Sequence, residues 1–293
     1  MDSATEIQYK PKAFDPTPFE EVAGKDVVSF IFENAPRKVQ TRVAKALEHY
    51  TRATNLVDVD EEMGAIRLIA AEEELVVAIF EWLKLNEERF PEHRDFVQKF
   101  KNHVVKLSFY PTLQQFRFIL SDMLCEGFTM DGLEGVLSFT AKPVIDGKQV
   151  KLALIDNDGK ELIRHNPLAT AISRDDLDDT EVVEAMLKDF SKLIDEQQGR
   201  TLRSFLLERA DYRNKLLYAS DAGSLEMGDR LSDLIEGFKL TYHDLLWVLA
   251  ILIGAEPAVK HWGLVSQFIA LYRAVLIEAR MLKADNTIAE AKQ

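Results

Sequence analysis

Three consecutive glutamates, Glu72-Glu73-Glu74, stand inside an otherwise apolar stretch, with Ala65-Ile66-Arg67-Leu68-Ile69-Ala70-Ala71 before them and Leu75-Val76-Val77-Ala78-Ile79-Phe80 after. The stretch predicts a helix over residues 61–85. On a helix the neighbours of each side chain lie three and four positions away. For Glu72 these are Leu68, Ile69, Leu75 and Val76, and for Glu73 they are Ile69, Ala70, Val76 and Val77. None of them can pair with a carboxylate. Successive helical residues are about 100° apart, so the three carboxylates fan over roughly 200° and cannot share one solvent face. At least one therefore faces packed protein and needs a cation from elsewhere in the chain.

A 293-residue chain with 47% hydrophobic and 29% charged residues has the composition of a globular protein with a large core, in one elaborated domain or two. The formal net charge of −13 argues against a broad surface for coating DNA, which draws on clustered Lys and Arg. Cys125 is the single cysteine, so neither an intrachain disulfide nor a cysteine-built zinc site is available, and a reducing cytoplasm fits. Cys125 itself reads as a buried thiol. The N-terminus lacks a basic start followed by an apolar run, and the longest apolar run, residues 245–254, is too short to span a bilayer. No membrane partner is expected.

The fold class expected is mainly α, with a small three-stranded antiparallel β-meander inserted between two helical parts. A flexible arm is expected over residues 1–17, a helical part over 18–134, the meander over 135–166, a second helical part packing on the first over 167–284, and a flexible tail over 285–293. Apolar spacing predicts helices over 37–53, 61–85, 93–107 and 113–125, with Pro111 interrupting the last two. The meander is predicted from a strand over 136–142, a turn at Asp146-Gly147, a strand over 149–155 in which Val150, Leu152 and Leu154 alternate inward, a turn at Asp158-Gly159 and a strand over 160–164. Ser173 is the expected N-cap of the returning helical region, and the acidic run Asp175, Asp176, Asp178 and Asp179 suits a helix N-terminus. Further helices are expected over 181–197, 201–220, 227–238, 242–253 and 258–283.

The acidic clusters have structural explanations. Asp156-Asn157-Asp158-Gly159 lacks the distal glutamate and flanking helices of a calcium loop and reads as a hairpin turn. Asp58-Val59-Asp60-Glu61-Glu62 reads as a helix cap. The six histidines show no close metal-ligand spacing, and neither a phosphate-cradling glycine loop nor a Gly-x-Ser-x-Gly elbow occurs. No cofactor is expected. Two arrangements remain. Arg213-Asn214 places a cation beside an amide, a pairing suited to phosphate or carboxylate. Arg42 and His49 lie seven residues apart, within about 20° on one helix face, so that face can present a cation and a proton carrier together. The plain structural alternative is that Arg213 neutralises a semi-buried carboxylate, Asn214 caps or bridges backbone, and Tyr218 packs with its hydroxyl at the surface.

Arg213-Asn214 followed by Tyr218, together with Ala70-Ala71-Glu72-Glu73-Glu74 upstream, resembles the signature of HEPN proteins, helical nucleotide-binding or RNA-cleaving domains of toxin and abortive-infection systems. The resemblance covers roughly residues 37–85 and 201–220. It implies that Arg213 and Asn214 occupy the first two motif positions, that Glu72 or Glu73 orients Arg213, that RNA or a nucleotide is the partner, and that two copies form a homodimer. Tyr218 stands where that family has His, and a phenol is a weak base at neutral pH. His49, through Arg42-x6-His49, is then the expected proton carrier of a metal-independent ribonuclease. The competing expectation is a non-enzymatic helical interaction module with an acidic surface.

Overall fold

A computed structural model describes residues 15–88, 90, 94–125, 140–169, 171–173, 177–218, 230–254 and 263–283. The architecture is mainly α with a three-stranded antiparallel sheet, as expected. Its axis is a long helix carrying the three glutamates. We number the helices α1 (Thr17–Ala23), α2 (Lys25–Asn34), α3 (Arg37–Thr54), α4 (Glu61–Leu85), α5 (Arg94–Val97), α6 (His103–Leu107) and α7 (Phe109–Cys125) before the sheet. After it come α8 (Asp179–Gln198), α9 (Leu202–Leu217), α10 (Leu231–Ile253) and α11 (Gly263–Glu278).

Helix α4 starts at Asp60, whose side chain accepts the Met63 amide at 3.0 Å, and Glu61 and Glu62 in its first turn suit the positive end of the helix dipole. It is apolar nearly all round because it has neighbours all round: α3, α10, α6, α9 and α5 pack against it. The main core joins α1 to α4 with α10 and α11, around Phe19, Tyr50, Phe80, Tyr242 and Tyr272. The buried Tyr242 hydroxyl donates to the Leu68 carbonyl at 2.8 Å, so this polar atom enters the core already paired. A second core gathers α7, α8, α9 and α11 around Phe116, Met186 and Phe190.

Several boundaries differ from the sequence expectation. The helix expected over 93–107 is two short helices, α5 and α6, because Asn102 caps the second by accepting the Val104 and Val105 amides at 2.8 and 3.3 Å. Pro111 does not separate helices; it lies in the first turn of α7, where a missing N–H costs nothing. Helix α8 starts at Asp178, not Ser173: Asp178 accepts the Thr180 and Glu181 amides while Glu181 accepts the Asp178 amide, a complete capping box. The two helices expected over 227–253 are one continuous α10 from Leu231, since no proline interrupts the span and Tyr242 anchors its middle.

In the sheet, β1 (Thr140–Asp146), β2 (Gln149–Ile155) and β3 (Glu161–His165) follow in order. β1 runs through Pro143, which an edge strand tolerates. The first turn centres on Gly147-Lys148 rather than Asp146-Gly147, with Gly147 at φ 62° in the position a tight hairpin reserves for glycine. Val150 and Ala153 are the buried residues of β2, so the expected inward alternation of Val150, Leu152 and Leu154 is not followed. Val150 donates to the Gly254 carbonyl at 3.4 Å, which ties the meander to the end of α10. Residues 1–14 of the expected arm, 136–139 of the expected first strand, Asp175, Asp176 and the expected tail over 285–293 lie outside the described residues.

Candidate functional site

The three carboxylates of α4 each meet a different element, as their angular fan requires. Glu72, fully buried, is held by Arg209 of α9: Nη2 donates to both carboxylate oxygens at 2.7 Å, and Nε donates to the Leu107 carbonyl at 3.1 Å. Burial pushes the Glu72 carboxyl up from its ordinary pKa, and Arg209 pulls it back. Glu73 turns to α6. Lys106 Nζ donates to its Oε2 at 2.9 Å, and His103 Nδ1 bonds its Oε1. Glu74 points to the other side of α4, where Arg42 Nη1 donates to its Oε2 at 3.0 Å.

Arg213 lies one helical turn beyond Arg209 on the same face of α9. Its Nη1 is 3.9 Å from Glu73 Oε2, an ion pair longer than a hydrogen bond, and 3.4 Å from His103 Nε2. An arginine can only donate, so His103 Nε2 accepts and Nδ1–H faces Glu73. The result is a chain Glu73–His103–Arg213, and the imidazole at its centre is 41% exposed. Among the described residues, the buried Arg213 Nε has no hydrogen-bond partner.

The structure therefore brings together Glu73 and Arg213 but separates them from Arg42 and His49. These last two stand on α3 against the opposite flank of α4. Arg42 meets Glu74 and His49 meets Arg67, two rungs seven residues apart on each of two antiparallel helices. Arg67 Nη1 donates to His49 Nδ1 at 3.2 Å, which occupies the only lone pair of a neutral imidazole. Burial first, and then Lys45 and Arg67, lower the His49 pKa to about 4. Glu72 is taken by Arg209 and does not reach Arg213. Asn214 is exposed and donates to Asp211 at 3.3 Å, and Tyr218 is 69% exposed at the C-terminal cap of α9.

Arg209, His103 and Lys106 were not singled out from sequence. A signal for Arg209 exists in hindsight, because Arg209 and Arg213 are spaced four apart and match two adjacent glutamates. His103 and Lys106, three apart on one helix face, carry a weaker one. A further buried carboxylate, Asp244, accepts from Tyr110 at 3.4 Å and from Arg117 at 3.3 Å. Burial, then the adjacent Asp244 charge, pushes the Tyr110 phenol up to about 12, so it stays a donor. Among the described residues no group of three or more His, Cys, Asp and Glu side chains is arranged to hold a metal ion, and no helix is long and apolar enough to cross a membrane. No protein-family model, curated protein or solved structure matches the chain.

Proposed function

We propose that the chain is a HEPN-like protein that binds RNA or a nucleotide and cleaves RNA without a metal ion, with His103 taking the part that the sequence offered to His49. One observation carries this reading: an exposed imidazole lies between a buried carboxylate that sets its tautomer and an arginine able to hold phosphate. In this mechanism Arg213 leaves its long 3.4 Å contact with His103 for the phosphate, and the freed His103 Nε2 takes the proton of a ribose 2′-hydroxyl as its oxygen attacks the adjacent phosphorus. Arg213 stabilises the negative charge that accumulates on the phosphoryl oxygens, and the exposed Asn214 beside it helps seat the phosphate. The bond to the 5′-oxygen breaks, that oxygen receives the proton back from the imidazolium, and the products are a 2′,3′-cyclic phosphate and a 5′-hydroxyl. Glu73 and Lys106 keep the imidazole in place. The homodimer implied by the family resemblance would set two such sites together, and sedimentation of the full chain tests it.

The experiment is incubation of purified protein with labelled single-stranded RNA in EDTA, with analysis of the product ends. Wild type should yield cyclic-phosphate ends. His103→Ala should lower the rate about 10²–10⁴-fold, and Arg213→Ala about 10²–10³-fold, with circular dichroism verifying that both variants fold. His49→Asn should cleave like wild type. If wild type neither cleaves nor binds RNA, this reading falls and the acidic helical interaction module takes its place.

A further inference from the structure

A partly open cavity of about 350 Å³ is built from the same three helices, α4, α6 and α9, as the His103–Arg213 site. Arg209 and Leu107 line it, each one helical turn from Arg213 and His103 respectively, and Glu72 lines it beside Glu73. The rest of the wall mixes three aromatic side chains, Phe205, Tyr212 and Phe238, with aliphatic ones such as Ile69 and Leu234 and the polar Gln198. Its formal charge cancels, because Glu72 and Glu208 are each paired with an arginine of the same wall, Arg209 and Arg200. A pocket of this size suits a small ligand. Its charge balance disfavours an anion or a cation, and its three aromatic side chains offer faces to a flat, neutral one. Polar recognition is on hand as well. Arg209 spends Nε and Nη2 on Leu107 and Glu72, and among the described residues its Nη1 makes no hydrogen bond, which leaves N–H donors for a carbonyl or ring nitrogen.

We infer that this cavity is a nucleobase pocket, holding the base attached to the phosphate that Arg213 and His103 engage. The inference rests on the RNA-or-nucleotide reading of the neighbouring site and adds to it the part of the substrate that confers selectivity. Flat neutral heterocycles with hydrogen-bonding edges are what aromatic walls and spare guanidinium donors recognise together. The base can arrive as part of an RNA strand or as a free nucleoside or nucleotide, and the two sources are separable by experiment.

The test is calorimetric titration of the full chain with the four common nucleosides, their 5′-monophosphates and ribose 5-phosphate, in parallel with the RNA cleavage assay. At least one nucleoside should bind, and its monophosphate should bind about tenfold or more tightly than ribose 5-phosphate, which lacks the base. Phe205→Leu and Tyr212→Leu, shown to be folded by circular dichroism, should each lose about tenfold in nucleoside affinity. Arg213→Ala should weaken the monophosphates and leave the nucleosides unchanged. In the RNA arm, replacing the nucleotide on either side of the cleaved bond with an abasic residue should slow cleavage. Nucleoside binding without RNA cleavage would keep the pocket and remove the ribonuclease. If ribose 5-phosphate binds as well as every monophosphate, or no nucleoside binds at millimolar concentration, the pocket is overturned whatever happens to RNA.

Discussion

At the scale of single residues, the deepest charge is Glu72, and its ion pair sets a pH dependence. Its carboxyl pKa is raised by burial despite the pull of Arg209. A raised folded-state pKa makes a contribution that is fully present below the unfolded value and is lost as pH rises through the folded one. Ionised Glu72 thus works against stability at neutral pH, and Arg209 limits that penalty. Arg209→Met should therefore destabilise by about 3–5 kcal/mol near pH 8, where an unpaired buried carboxylate remains, and by much less near pH 4, where the group is protonated. Urea unfolding at the two pH values measures the difference; an equal loss at both would show that Arg209 acts through packing alone. His49 carries the opposite sign. Its folded pKa of about 4 lies below the unfolded value, so its contribution is present above about pH 6.5 and is lost as pH falls toward 4. An NMR titration of the ring should find its midpoint near 4, and Arg67→Met should raise that midpoint, because a nearby positive charge disfavours the imidazolium.

At the scale of elements, the meander joins the helices through a contact with no spare room. A Cβ added at Gly254 would lie 2.8 Å from the Val150 backbone nitrogen and 3.0 Å from Phe30 Cζ. Gly254→Ala must move β2 away from the end of α10, so stability should fall by about 1–3 kcal/mol. Amide exchange should accelerate in β1 and β2 and stay unchanged in α3, and uniform acceleration would contradict this view of the joint. The same contrast explains which elements were legible in the sequence. Long periodic helices such as α3 and α4 announce themselves, because apolar spacing is local. The break between α5 and α6 and the start of α8 depend on which of several capping residues wins, Asn102 and Asp178 here, and neighbouring candidates such as Ser173 look as good in one dimension. Of the site, the divergence of the three glutamates followed from helix geometry. Their partners did not, since Arg209 closes a loop of 137 residues onto Glu72 and only tertiary packing selects it over Arg213.

At the scale of the whole molecule, a net charge of −13 is compatible with the proposed phosphate site only if that site is local. Around Glu72 and Glu73 the fixed cations are Arg209, Lys106 and Arg213, three against two carboxylates, which leaves one positive charge at the mouth. Among these three, Lys106 and Arg209 hold their carboxylates at 2.9 and 2.7 Å, whereas the Arg213 contact with Glu73 is 3.9 Å, so Arg213 is the readiest of them for a phosphate. Binding of single strands releases counterions in proportion to the phosphates neutralised, with a slope of about −0.7 per phosphate in log affinity against log salt. One or two engaged phosphates therefore predict a slope between about −0.7 and −1.4. Repulsion from the acidic remainder flattens it further at low salt and fades above about 0.15 M, where the Debye length is near 8 Å. Fluorescence anisotropy with a short labelled RNA, from low to moderate salt, gives the slope directly. A value near −1 that drops toward zero in Arg213→Ala fits a single local contact, whereas a slope of about −3 or steeper would require an extended basic surface and would place RNA somewhere other than the His103–Arg213 mouth.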